Sequence, residues 1–261
     1  MKSILITYIF ATLLTTSCKN TNEATASSIA LTQNQEDITK ADQIIEKTIQ
    51  AHGGNLYHTA DYSFTFRKKL YRFTNNGSDY TYTVTYQKNN TTILDVITNG
   101  SFKRFVNEQE IELNQKQTDA GFGALNSVIY FATLPYKLND PSVNKKLIEK
   151  TVIKNENYDV IEVTFNKEGG GKDHDDEFYY WINKKTHKID YLAYNYQVNK
   201  GGVRFRSFYN RSVVDGITFQ DYINWKAPVG TPLQKLPTLF EQNKLKELSR
   251  IETENITHLK N

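Results

Sequence analysis

Gly169 to Tyr196 reads GGGKDHDDEFYYWINKKTHKIDYLAYNY, and its second half decides the fold class. Phe178–Ile182 and Ile189–Tyr196 are rich in aromatic and aliphatic residues, and the polar segment Asn183–His187 separates them. That pattern is a β-hairpin. Side chains alternate between the two faces of a strand, so Phe178, Tyr180 and Ile182 point one way while Tyr179 and Trp181 point the other. Both faces carry bulky apolar surface, and a sheet built on this hairpin must be covered on both sides.

Outward from the hairpin, the period of two persists. It is clearest in Tyr80-Thr81-Tyr82-Thr83-Val84-Thr85-Tyr86, with turns at Asn75–Ser78, Gln87–Asn90 and Asn99-Gly100. Upstream, the pattern predicts strands over Tyr62–Phe73, Asp79–Tyr86, Thr92–Ile97, Phe102–Val106, Glu110–Leu113, Leu147–Lys154 and Asp159–Phe165. Downstream of the first hairpin strand it predicts Ile189–Val198, Val203–Val213, Ile217–Trp225 and a final strand Leu245–Ile256. Two segments switch to helical spacing. Ala41, Ile44, Ile45, Thr48 and Ile49 predict a helix over Lys40–His52, capped by Thr39 and stopped at Gly53. Phe122, Leu125, Val128, Ile129 and Ala132 predict a second helix over Asp119–Leu134, ended by Pro135. A short helix is expected around Leu239–Asn243. The fold class is therefore mainly β (α+β), a strongly curved antiparallel sheet forming an open half-barrel of about eleven strands. Helices cover its concave face, which the Asp119–Leu134 helix partly fills.

The 261-residue chain opens with Met1-Lys2-Ser3 and the apolar run Ile4–Leu14, which reads as a signal peptide too short to span a bilayer. Its only cysteine, Cys18, follows small residues where cleavage is expected. This resembles a bacterial lipoprotein signal, in which the cysteine becomes the lipidated first residue, although Thr15 stands where that pattern prefers Leu. Residues 1–18 are then signal and lipidation site, 19–36 a Thr/Asn/Ser/Gln-rich tether, and 37–261 one domain. The expected address is the cell envelope, lipid-anchored, at the outer membrane. Removing residues 1–17 takes away one lysine and leaves 31 basic against 29 acidic side chains, a balance that does not favour a nucleic-acid partner.

The lipoprotein signal, the opening helix running into Ala51-His52-Gly53-Gly54, the meander, and the Phe178–Asn183 strand with its Lys184–His187 turn together resemble an uncharacterised lipoprotein family of Bacteroidota-type bacteria. That family is a domain of unknown function whose architecture is similar to the lipoprotein-carrier fold of LolA and LolB. The resemblance covers roughly Ala41 to Ile256. It implies an open β-barrel with a hydrophobic cavity under helices, and it brings no activity and no ligand residues.

No His-Glu-x-x-His, Gly-x-Ser-x-Gly or paired cysteines occur, so the sequence favours a binding module over an enzyme. With 17 Tyr and 14 Phe it suits an apolar or acylated small molecule, with Phe122, Leu125, Val128, Ile129, Tyr179, Trp181 and Trp225 as the expected contacts. No cofactor is required. The acidic stretch Asp173, His174, Asp175, Asp176 could hold a divalent cation, and would then support a metal-dependent enzyme or a glycan-binding protein instead. Against it, the stretch lacks a calcium-loop pattern, and such charges are ordinary in a solvated loop. Gly169–Gly171 with Lys172 opens a strand rather than a helix, which argues against a phosphate loop. His52 is either a general base or a histidine settled at a helix end. Glu162 and Asp221 fall on apolar parities, and either is expected to pair with Arg204 or Arg206. A purely structural envelope subunit is the remaining alternative.

Overall fold

The computed structural model describes residues 40–166, 176–197 and 200–259. The first helix, α1, covers residues 40–52 as the spacing predicts, with Ala41, Ile45 and Ile49 buried. It stops at Gly53, whose φ of 146° suits glycine alone, and a 3-10 turn, Gly54–Thr59, leads into the first sheet.

Six antiparallel strands follow: β1 (Asp61–Phe66), β2 (Lys69–Asn76), β3 (Asp79–Lys88), β4 (Thr91–Thr98), β5 (Ser101–Val106) and the two-residue β6 (Gln109–Glu110). The helix α2 (Gln115–Ala132) then leads to β7 (Val143–Ile153), β8 (Glu156–Phe165), β9 (Phe178–Asn183), β10 (Ile189–Tyr196), β11 (Gly202–Val214) and β12 (Ile217–Ala227). A short helix α3 (Leu236–Glu241) precedes β13 (Lys246–Ile251) and β14 (Glu254–His258).

These strands form two seven-stranded antiparallel sheets rather than one sheet of about eleven. Sheet A runs β14-β1-β2-β3-β4-β5-β6, and sheet B runs β13-β12-β11-β10-β9-β8-β7. Two expected strands divide, each for a physical reason. Tyr62–Phe73 breaks at Arg67-Lys68, a two-residue hairpin turn with φ of 50° and 62° at residues that carry no turn signal. Leu245–Ile256 breaks at Glu252-Thr253, where the chain leaves one sheet for the other. Asp221 holds that seam by accepting from the Thr253 backbone N–H and from Asn210 Nδ2, each at 2.8 Å. Edges β6 and β7 stay unpaired with each other, so no barrel closes.

Helix α2 begins four residues before the predicted start because Asn114 and Gln117 form a capping box, each side chain accepting from the other's backbone N–H at 3.0 Å. The helix packs on both sheets. Leu125 and Ile129 join Tyr62, Phe73, Tyr82 and Val84 of sheet A, while Tyr130 and Phe131 pack with Phe178, Tyr180 and Leu192 of sheet B and with Ile45 and Ile49 of α1. We call the faces that meet α2 the inner faces. The outer face of sheet B buries Tyr179, Trp181, Tyr191 and Phe205 under Leu233, Leu236, Leu239 and Phe240, from the segment around α3. All six residues of β9 are buried, as a two-sided hairpin requires. α3 itself covers this outer face, so the helices are not confined to the inner side.

Candidate ligand-binding groove

The inner face of sheet A is laid out in transverse rows set by tight turns. Counting back from Gly77-Ser78, Asn89-Asn90 and Asn99-Gly100 places Tyr71 opposite Val84, Val84 opposite Asp95, and Asp95 opposite Arg104. The adjacent row toward the Arg67-Lys68 turn brings Lys69 Nζ 4.1 Å from the centroid of the Tyr86 ring. The row on the other side ends in Phe102, and against that ring lies Gly121 of α2. A Cβ on Gly121 would sit 2.3 Å from Phe102 Cζ, so glycine lets the helix lie close over β5.

Beside this contact a space remains between the helix and the sheet. They leave a half-open cavity of about 270 Å³, with Tyr71, Val84 and Tyr86 as its floor and Ala120, Gly121, Ala124 and Leu125 as its helical wall. Three charged groups enter it. Asp95 is buried and takes a bidentate pair from Arg104, at 2.5 Å from Nε and 2.7 Å from Nη2. That pair is neutral as a unit. Lys69 has no carboxylate partner among the described residues and leaves the groove with one uncompensated positive charge. Burial pushes the Tyr71 and Tyr86 phenols up, so both are neutral donors at ordinary pH.

A second polar cluster lies at the other end of the interior, between α1 and sheet B. His52 Nδ1 is 2.8 Å from the Thr48 carbonyl, which can only accept, so the proton sits on Nδ1. Its Nε2 is buried with no hydrogen-bond partner among the described residues. Burial first, then the charges of Lys188 and Arg211, push His52 down to about 3, against an opposing contribution from the Thr48 carbonyl. Lys188 donates to the Ala51 carbonyl at 2.6 Å and to Thr218 Oγ1 at 3.0 Å, closing the end of α1. Asp190 accepts from Arg211, from Tyr158 at 3.0 Å and from Asn183 at 3.2 Å. Lys188, Asp190 and Arg211 are engaged by the fold, His52 Nε2 is not, and His52 is a neutral core histidine.

The expected ligand residues do not line one space. Leu125 contributes to the groove, Phe122, Val128 and Ile129 pack with it into the sheet A core, and Tyr179, Trp181 and Trp225 lie on the outer face of sheet B. There Tyr179 OH accepts from Gln234 Nε2 at 2.9 Å, and Trp225 Nε1 donates to Ser207 Oγ at 2.9 Å, with Phe240 stacked edge-on at 5.4 Å. The expected ion pairs also fail. Arg206 donates to Tyr194 OH at 3.2 Å and lies 3.7 Å from the Phe131 centroid, and Arg204 donates to Tyr196 OH. Asp221 is taken by the seam, because a bulge between Phe208 and Asn210 puts it opposite Asn210 while Arg206 pairs with Asn224. Glu162 sits opposite Tyr179 on the outer face, three strands away. Cys18, Asp173, His174 and Asp175 lie outside the described residues, as do Gly169–Gly171 and Lys172, whereas Asp176 lies within them. Among the described residues no three acidic, histidine or cysteine side chains converge on a metal position, and no helix is long and apolar enough to cross a membrane.

Lys69, Tyr71, Asp95 and Arg104 escaped the sequence reading. Their signal was Asp95 standing on the apolar parity of Ile93 and Ile97, together with the Asn99-Gly100 turn that fixes Arg104 opposite it.

Three solved structures are similar to this chain. A LolA superfamily protein from Nitrosomonas europaea shares 10% identity over 84% of this chain and 93% of its own, with a TM-score of 0.48. A DUF1329 family protein from Desulfovibrio piger shares 10% identity over 85% of this chain and 93% of its own, with a TM-score of 0.41. A domain described as an outer-membrane lipoprotein-sorting protein, from Vibrio parahaemolyticus, shares 9% identity over 79% of this chain and 98% of its own, with a TM-score of 0.41. No curated protein matches the sequence. The sequence pattern of the family of unknown function DUF6503 matches residues 27–253, and this protein belongs to that family.

Proposed function

We propose that the protein binds an apolar or acylated ligand in the groove between α2 and sheet A, as an envelope protein tethered at the outer membrane by a lipid on Cys18. The groove carries this reading. A half-open cavity of about 270 Å³ has an aromatic and aliphatic floor, a wall of small and aliphatic helix residues, and Lys69, Asp95, Arg104 and Gln117 as its polar groups. Small-molecule sites of roughly 300–1,000 Å³ share that make-up. Affinity comes from apolar area removed from water, at about 25 cal/mol per Å². Its wall is preformed, because Leu125 and Ile129 anchor α2 in the core while Ala120 and Ala124 face the open side.

The test is native mass spectrometry with lipid extraction on protein starting after Cys18 and purified from a bacterial periplasm. The parent is expected to carry an acyl species that is lost on denaturation. Ala124→Trp fills the groove from an exposed position and is expected to melt with the parent yet emerge empty. A parent without ligand, or a variant loaded as fully as the parent, overturns the reading. Cys18→Ser is expected to abolish incorporation of labelled fatty acid and release the full chain from membranes. Unchanged labelling removes the tether from the proposal.

A further inference from the structure

We infer that the charged end of the groove's ligand is anionic, so that the site selects a single acyl chain ending in a carboxylate or phosphate. The inference rests on the groove being a ligand site, and it goes beyond that reading in naming the head group. It follows from the charges the fold leaves unbalanced. Arg104 commits Nε and Nη2 to the two Asp95 carboxylate oxygens, so the two charges offset each other. Lys69 is the one charged group lining the groove without an opposite partner among the described residues. Its ammonium rests on the Tyr86 ring, which positions it at the cavity without neutralising it.

Lys69 also directly follows the turn residues Arg67 and Lys68, both exposed, so three consecutive cations stand at this end of the sheet. At the helical wall, Gln117 lies in the first turn of α2, where the helix dipole adds positive potential. A cationic head group brought here meets repulsion from Lys69, and an uncharged one gains only a neutral hydrogen bond from its ammonium. A tail on Tyr71, Val84 and Leu125 with an anion at Lys69 balances the one charge in the lining that the fold leaves without an opposite partner among the described residues.

Calorimetric titration of the protein with laurate, lauryl phosphate, lauryl alcohol and laurylamine, each kept monomeric, tests this. One or both anionic probes are expected to bind about tenfold more tightly than the alcohol, the size of one charge-assisted contact, with the advantage shrinking as salt is raised. The tighter anion identifies the head group as carboxylate or phosphate. In Lys69→Gln the ratio of anion to alcohol affinity is expected to fall toward one, Lys69→Arg to restore it, and Lys103→Gln on the other face of sheet A to leave it as in the parent. Equal affinity for anion and alcohol, or preference for the amine, overturns the inference while the groove survives as an apolar site. Failure of all four probes to bind overturns both.

Discussion

Strands β3 and β9 are both loaded with aromatic residues, yet they sit in different kinds of sheet. In β3 the large residues alternate with threonine: Tyr82 and Val84 are buried inward while Thr81, Thr83 and Thr85 remain half-exposed on the outer face. In β9 there is no alternation, and every position is buried between α1 and α2 on one side and α3 on the other. Sheet A thus has one wet face and an inner face that the helix covers incompletely, leaving the groove. Sheet B is packed on both faces. The groove proposed as the ligand site therefore lies on the one-sided sheet, and the β9–β10 aromatic cluster is buried core.

Equivalent substitutions should break the two sheets unequally. Trp181→Ala removes a fully buried ring from the outer face of sheet B and is expected to cost about 3–5 kcal/mol. Thr83→Ala on the outer face of sheet A should stay within about 0.5 kcal/mol. Urea unfolding of the two variants checks this, and similar losses would mean that sheet A is also covered. Next in size, Leu236→Ala thins the outer cover of sheet B from a fully buried position. It is expected to cost about 2–4 kcal/mol while leaving ligand binding at sheet A intact, which calorimetry on the same samples will show.

The sheets should also differ in acid. His52, at the inner face of sheet B, is held down to about 3 by burial, whereas the unfolded chain titrates it near 6.5. Between those values the unfolded state binds the extra proton, so stability is full above the upper value and is lost as pH falls. At about 1.4 kcal/mol per pKa unit, the loss between pH 7.5 and pH 5 is about 2 kcal/mol, and His52→Leu should flatten it. On sheet A, burial alone would raise Asp61, but the Arg72 hydrogen bond and charge outweigh burial and hold the carboxyl below its usual range. Its contribution is present above 3.8, the ordinary value of an aspartate, and disappears only as pH falls through the lower folded value. Denaturation midpoints measured across this pH range separate the two contributions. Smallest of all, burial and the neighbouring Glu177 raise Glu162 on the outer face of sheet B, against the pull of Lys146. Its ionised form is disfavoured in the fold at neutral pH, a cost relieved on acidification. Glu162→Gln is expected to stabilise by no more than about 1 kcal/mol after screening, read as a rise in Tm that vanishes at low pH.

Some of this was open to sequence reading because it is local. The C-terminal end of α1 follows from apolar spacing and Gly53. The buried parities of β3 and β9 follow from strand alternation, and the Gln87–Asn90 and Asn99-Gly100 turns follow from residues that tolerate positive φ. Arg67-Lys68 was missed because its turn conformation is imposed by the pairing of β1 with β2 rather than by turn-forming side chains. Gln115–Thr118 reads as loop because a capping box of Asn and Gln, without an adjacent apolar stripe, carries no helical period. Tyr179 and Trp181 pack under Leu233, Leu236 and Phe240, a cover the sequence does not name, because a two-sided strand shows that something covers it and not what.

The sequence by itself determined which segments are strands and helices, which strand faces are apolar, and that the β9–β10 hairpin must be buried on both sides. Those properties follow from side-chain period and turn chemistry over a few neighbouring residues. Only the tertiary structure decided that the strands divide into two sheets at Glu252-Thr253, that α3 and not a ligand fills the outer face of sheet B, and that Lys69, Tyr71 and Arg104 meet Ala124 of α2 around one groove. These depend on which distant surfaces exclude water together, and the free energy of that choice is shared across the whole chain rather than written in any one stretch.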